Sequence, residues 1–244
     1  MRLLAAGVLL VATTVTAQES TTLLVEADQC YRRREDVSQV KRAIDLYQQV
    51  LNEDPNAFEA AWRLSRAYWY EGNHAPKKER ADIFRKGVEV AGKAVGVSPG
   101  RCEGHFWLGL NYAMLAENSG MFKALGLVND VKQEMNSTIA IDDKCVCGGP
   151  QRVLGRLYAK IPWFKGGSKS KSVEYLKKSI EYCPEDTQSR IFLAQTYLDQ
   201  GRKHEAIEQL RLVLQMEGLP DWIPETKENK IEAEKMLSKL EKEK

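Results

Sequence analysis

The stretch TQSRIFLAQTYLDQGRKHEAIEQLRLVLQMEG, residues 187–218, decides the fold. Leu193, Ala194 and Tyr197 fall on one helix, Gly201 turns the chain, and Ala206, Leu210 and Val213 follow at helical spacing on a second. The Leu-small-x-x-Tyr signature recurs upstream as Leu64-Ser65-x-x-Tyr68, Leu108-Gly109-x-x-Tyr112 and Leu154-Gly155-x-x-Tyr158. Second helices run into Pro55, Pro99, Asp143, Pro184 and Gly218, at intervals of 44, 44, 41 and 34 residues. Self-similarity at such a period signals stacked helix pairs, since one pair cannot bury its apolar face alone. Two helices approach closely only where a side chain is nearly absent. Gly109, Gly155, Ala194 and Ala206 therefore mark crossing points, with Tyr and Leu filling the space beside them. The expectation is an all-α solenoid of four to five antiparallel helix pairs.

These residues resemble the tetratricopeptide repeat. The likeness rests on Leu193, Ala194, Tyr197, Gly201, Ala206, Leu210 and Val213, and upstream on Leu64, Ser65, Tyr68, Gly72 and Pro99. The resemblance implies a right-handed superhelix with a concave face. Units two and three are about ten residues longer than the family's 34, so their helices or turns must be extended. IDLYQQVLNEDP, residues 44–55, reads as the second helix of a leading unit whose first helix lies near Leu23 to Arg34.

The termini frame this array. MRLLAAGVLLVATTVTAQES has a charge at Arg2, an apolar run from Leu3 to Val15 and a small-residue close at Val15-Thr16-Ala17, the pattern of a cleaved signal peptide spanning residues 1–17. The run is too short to span a membrane, which takes about 20 apolar residues. Gln18 follows it, so no lipid-anchor cysteine is indicated. The expected location is periplasmic or secreted, with cleavage near Ala17 and the repeat array over 18–218. Residues 219–244 read as a loop with Pro220 and Pro224, then a helix placing Ile231, Met236, Leu237 and Leu240 on one side to cap the stack.

Composition excludes more than it assigns. Thirty-six basic against 34 acidic residues gives no hint of a nucleic-acid partner. His74, His105 and His204 lack metal-ligand spacing, and no nucleophile elbow or haem-attachment motif occurs. KGGSKSKS, residues 165–172, lacks phosphate-loop spacing; Gly166-Gly167 read as a turn, with a serine capping a helix that starts near Ser172. Asn136-Ser-Thr matches a glycosylation acceptor but falls within a predicted helix. The sequence predicts no catalytic site, no metal and no cofactor.

Five cysteines in an exported chain point to disulfides. Cys102, Cys145 and Cys147 precede first helices and Cys183 ends a second one, which gathers the four on one rim of the solenoid. The pairs Cys102–Cys145 and Cys147–Cys183 follow, with Cys30 free. A Cys145–Cys147 bridge and a four-cysteine zinc site are the alternatives.

A second stripe on the first helices carries Trp62, Arg66, Trp69 and Tyr70, then Phe106, Leu110 and Met114, then Arg152, Arg156 and Lys160. In tetratricopeptide proteins such positions line the concave face. The expected groove is aromatic at one end and cationic at the other, suited to an extended peptide or an amphipathic ligand with a carboxylate. The alternative puts the aromatics in the core and the arginines in solvent.

Gly148 to Pro184, with its Gly-Pro, Leu-Gly-Arg-x-Tyr, Pro-Trp and Gly-Gly elements, resembles the exported bacterial tetratricopeptide proteins associated with TRAP transporters, the T-component family. That likeness implies a periplasmic partner of a solute-binding protein that delivers organic acids to an importer. AAWRLSRAY, residues 60–68, together with PDWIPETKENKIEAEKMLSKL, residues 220–240, is similar to the regulator of microtubule dynamics family of eukaryotes. The predicted signal peptide argues against a cytosolic cytoskeletal role. The resulting expectation is a non-enzymatic adaptor for a protein partner, with small-ligand binding in the groove as the second reading.

Overall fold

The computed structural model describes residues 19–242. The predicted signal segment, 1–17, lies outside them. Eleven α-helices follow one another: α1 (residues 19–32), α2 (Val37–Glu53), α3 (Phe58–His74), α4 (Lys77–Val97), α5 (Cys102–Glu117), α6 (Met121–Ile141), α7 (Cys145–Lys160), α8 (Lys169–Tyr182), α9 (Thr187–Leu198), α10 (Lys203–Gln215) and α11 (Ile223–Lys242). α1 packs on α2 in the first core cluster, α3/α4 through α9/α10 form antiparallel pairs, and α3, α5, α7, α9 and α11 pack in succession as the inner layer of a solenoid. Among the described residues no strand forms, and no helix is long and apolar enough to cross a membrane.

The small-residue crossings hold the pairs together. A Cβ added at Gly155 would sit 2.6 Å from Leu176 Cγ, and one at Gly109 would sit 2.4 Å from Met135 Cε. Ala194 and Ala206 are fully buried in the cluster of Ile191, Leu193, Tyr197, Leu210 and Val213. The long repeat period has a simple origin: α4 and α6 each run 21 residues, against 13 for α10. The extension lies in both helices of the long units, since α3 and α5 run 17 and 16 residues against 12 for α9.

Local signals set the helix starts. Asp36 accepts from Ser38 N at 2.9 Å and Asp186 from Gln188 N at 3.1 Å, each at an N-cap. Ser168 caps α8 by accepting from Lys171 N, so a serine does cap this helix, which starts at Lys169 and not near Ser172. Ser172 is instead buried, 3.0 Å from Thr196 Oγ1.

Two disulfides, Cys102–Cys145 and Cys147–Cys183, span Cα–Cα distances of 6.3 and 5.3 Å, while Cys30 is free and buried. They set aside both the zinc alternative and the Cys145–Cys147 bridge. Paired cysteines of this kind belong to an oxidising, extracytoplasmic compartment. Between them Val146, Cys147 and Gly148 take positive φ of 48°, 56° and 67°, a left-handed turn that a β-branched residue rarely adopts. The crosslinks on either side hold that turn.

α11 packs on α9 and α10 and covers the end of the stack with Ala233, Met236, Leu237 and Leu240. Ile231 departs from the expected stripe and is half exposed. The first half of α11 turns toward the concave face, which the sequence did not announce.

Gly155→Ala gains helix propensity of about 1 kcal/mol but forces apart two packed helices, an overpacking cost of about 1–3 kcal/mol. The variant should unfold at lower urea concentration than the native chain, read as a drop in midpoint at unchanged slope.

Candidate functional site

The concave face holds one chamber of about 720 Å³, walled by α3, α5, α6, α7 and α9 and by the segment from Leu219 to Glu232. Its apolar lining comes from Leu110, Ala113 and Met114 on α5, Met121, Leu125 and Val128 on α6, Val153 and Leu157 on α7, and Phe192 on α9. The extra length of α6 supplies a wall that a 34-residue repeat would lack.

The aromatic end is closed by the protein itself. Trp222 lies edge-on to Trp69, with ring centroids 6.0 Å apart, and stacks on Trp107 at 6.4 Å with only 12° between the planes. Glu225, at the start of α11, meets Arg34 through a two-pronged contact: Nε donates to Oε1 at 2.9 Å and Nη2 to Oε2 at 2.5 Å. Arg34 Nη2 also donates to the Asp221 carbonyl at 2.5 Å, and its guanidinium sits over Tyr31 and Tyr70. Both charges are almost wholly buried, at 3% and 11% side-chain exposure. Planar guanidinium and carboxylate fit each other with two parallel bonds, which satisfies groups that burial would otherwise penalise. Beside them His74 Nε2 lies 2.7 Å from Glu228 Oε1, and Nδ1 lies 2.7 Å from the Tyr70 carbonyl. The C-terminal segment thus crosses the groove and ties the last helix to the first pairs.

The groove residues expected from sequence divide in three. Trp69, Tyr70, Leu110, Met114, Arg152, Arg156 and Lys160 line the chamber. Trp62 and Arg66 do not. Arg66 lies over Tyr31 at 4.0 Å and Trp62 at 5.1 Å and approaches Asp28 on α1, while Trp62 Nε1 donates to Glu59 on its own helix and its ring packs against the core clusters of the first units. Phe106 is fully buried against Trp107, with Gly149 admitting its ring, and belongs to the core. Sequence reasoning missed Trp222, Glu225, Glu228 and His74. The signal lay in PDWIPE, residues 220–225, where two prolines bracket a tryptophan.

The cationic end is partly spoken for. Arg152 Nη1 donates to Asp186 Oδ2 at 2.7 Å, and both side chains are about nine-tenths buried, so this pair ties α7 to the cap of α9. Arg156 Nη1 donates to Gln195 at 2.5 Å, its Nε lies 3.5 Å from Glu117, and its guanidinium covers the Phe192 ring. Lys160, one turn further along α7, is exposed and has no polar partner among the described residues. No group of three or more metal-ligating side chains gathers among the described residues.

A solenoid of helix pairs around a concave chamber defines a tetratricopeptide-type interaction protein, and the repeat's profile matches residues 187–218. The chain belongs to the family described as Regulator of microtubule dynamics protein 1-3, whose profile matches residues 23–146, just over half of its length. Gly148 to Pro184, which carried the T-component resemblance, lies outside both matched segments. The fold accounts for its glycines: Gly149 faces Phe106, Gly155 faces Leu176, and Gly166-Gly167 form a turn. No curated protein matches the chain at a significant level. Among solved structures it is similar to TTC0263, a thermophilic tetratricopeptide protein of Thermus thermophilus, at TM-score 0.68 and 18% identity, covering 89% of this chain and 98% of that one. It is also similar to PilW, a type IV pilus biogenesis factor, at TM-score 0.59 and 17% identity over 91% and 92%. MamA from Desulfovibrio magneticus RS-1 aligns at TM-score 0.54 and 14% identity over 81% and 94%. At these identities the likeness is one of fold. Proteins of this fold are generally non-catalytic scaffolds that bind protein partners or peptides.

Glu225→Gln leaves Arg34 buried without its counter-charge and should cost about 3–5 kcal/mol in urea unfolding, whereas Arg34→Met with Glu225→Leu should cost less than either single change. The His74 contact has a pH signature. Its hydrogen bond to the Glu228 carboxylate raises the His74 pKa above the ordinary value. The stabilisation is therefore complete below about pH 6.5 and fades as pH rises through the folded-state pKa. The melting temperature should fall between about pH 6 and pH 8 by more in the native chain than in Glu228→Gln.

Proposed function

We propose that the chain is an exported adaptor, periplasmic or secreted after removal of residues 1–17, whose chamber holds an amphipathic anion: an apolar stem ending in a carboxylate. The observation that carries this reading is an apolar chamber of about 720 Å³ with unpartnered Lys160 one helical turn from Arg156 at its rim. That volume falls in the range of ligand pockets, roughly 300–1,000 Å³. The stem lies along Leu110, Met114, Leu125 and Leu157, and the carboxylate meets Lys160 and the free edge of Arg156. Because Trp222 fills the aromatic end, a short stem suits the groove better than a long extended peptide.

Such a stem can be a free molecule or the C-terminal end of a partner protein. A solute-binding subunit of a TRAP-type importer is the partner that the T-component resemblance suggests, and in-cell crosslinking from a probe placed at Leu125 identifies it or another protein.

Dodecanoate, titrated calorimetrically into the purified chain, is the first probe. It should bind saturably, and Arg156→Gln with Lys160→Gln should weaken it by about 10-fold or more, the loss of one or two charge-assisted hydrogen bonds. Leu125→Trp, which fills the chamber, should abolish binding. Dodecanoate binding that is absent, or indifferent to both variants, removes the free-ligand arm. If the probe at Leu125 then captures no partner chain, the reading fails as a whole.

A further inference from the structure

One patch of the surface remains outside the chamber chemistry. Trp163 is 84% exposed and Phe164 60%, both on the single 3₁₀ turn after α7, while Met121 and Phe122 at the start of α6 are 74% and 92% exposed. Met121, Ile161 and Pro162 all line the chamber, so the two exposed tips adjoin the same cavity. The exposed phenylalanine and tryptophan side chains of the described residues are all on these two tips.

The backbone of the turn that carries these rings is braced. Lys165 N and Gly167 N both donate to the Pro162 carbonyl, at 2.9 and 3.0 Å, Gly166 N donates to Trp163 O, and Ser168 N donates to Tyr158 O at 2.9 Å. Gly166 holds φ +87°, and a Cβ at Gly167 would lie 1.9 Å from the Ile161 carbonyl oxygen. Glycine is needed at both positions to present Trp163 and Phe164 outward.

Charge gives the patch its sign. Over the whole chain basic and acidic residues nearly balance, yet residues 144–173 contain seven lysines and arginines and no aspartate or glutamate. Lys160, Lys165, Lys169 and Lys171 are exposed there, with Lys123 beside Phe122 on the opposite tip. The adjoining chamber carries carboxylates of its own, Glu117 facing Arg156 with Glu185 and Glu232 also in its lining, whereas Lys169 hydrogen-bonds the Asp199 carbonyl oxygen rather than a carboxylate.

We propose that this patch docks the protein on an anionic lipid surface, with Trp163, Phe164 and Phe122 entering the headgroup layer and the lysines resting on phosphates. Tryptophan favours the membrane interface, and apolar rings surrounded by lysine bind anionic bilayers through combined insertion and charge. A protein partner fits less well, since lysine is depleted at the cores of protein interfaces and anchor residues there usually enter a pocket instead of standing on a projecting turn. The proposal does not rest on the chamber's occupant.

The test is flotation of the purified chain with vesicles of phosphatidylcholine, alone or with about 30 mol% phosphatidylglycerol. The native chain should float with the anionic vesicles and much less with the neutral ones. Trp163→Ala with Phe164→Ala should reduce partitioning by about tenfold or more. Lys165→Gln, Lys169→Gln and Lys171→Gln together should remove the preference for anionic lipid. Leu125→Trp, which fills the chamber, should float like the native chain. Absence of flotation by the native chain overturns the proposal. So does flotation that the Trp163→Ala and Phe164→Ala changes leave intact, or a protein partner that needs Trp163 while lipid binding does not.

Discussion

Two helices can come only as close as their smallest facing residues allow, and that steric limit governs this molecule. Where α7 meets α8, Gly155 leaves room for Leu176 and nothing more, and Gly109 does the same for Met135 on α6. Because similar small residues recur at equivalent points, each pair adopts a similar approach and each step along the stack adds a similar rotation. The accumulated turn brings Arg34 beside Glu225, although 191 residues of chain separate them. The chamber, its aromatic plug and its cationic rim all follow from where that curvature ends.

Much of the fold was legible because its determinants are local and repeated. The Leu-small-x-x-Tyr signature gave the pairs, and the placement of Cys102, Cys145, Cys147 and Cys183 at helix ends gave the disulfide partners. The site was legible only in part. On α3, Trp62 and Arg66 lie within a turn or two of Trp69 and Tyr70, yet the first pair faces the neighbouring helix and the second the chamber. A rotation of a fraction of a turn decides between them, and periodicity does not fix rotation to that accuracy. Trp222 was harder still, since its partners Trp69 and Trp107 are supplied by helices more than a hundred residues earlier. The length of α6 was sensed as a surplus in the repeat period, but nothing local assigned that surplus to the chamber wall.

The two disulfides act where, among the described residues, non-glycine backbone takes the left-handed conformation. Val146 and Cys147 in left-handed conformation each carry a strain of about 1–3 kcal/mol, a cost that persists only where the surroundings enforce it. Cys145 is bound to the start of α5 and Cys147 to the end of α8, so opposite anchors fix the turn between them. Val146 and Cys147 also border the chamber. The crosslinks therefore shape the concave wall as well as joining successive units.

Most solenoids are open-ended, and evolution lengthens or shortens them by duplicating or deleting a unit. The contact between Arg34 and Glu225 removes that freedom here. One further helix pair would carry the last helix along and around the superhelix axis, leaving a buried guanidinium and a buried carboxylate each alone. One pair fewer would do the same. The protein has counted its own repeats, and any descendant that changes the number must first dissolve the bond that closes them.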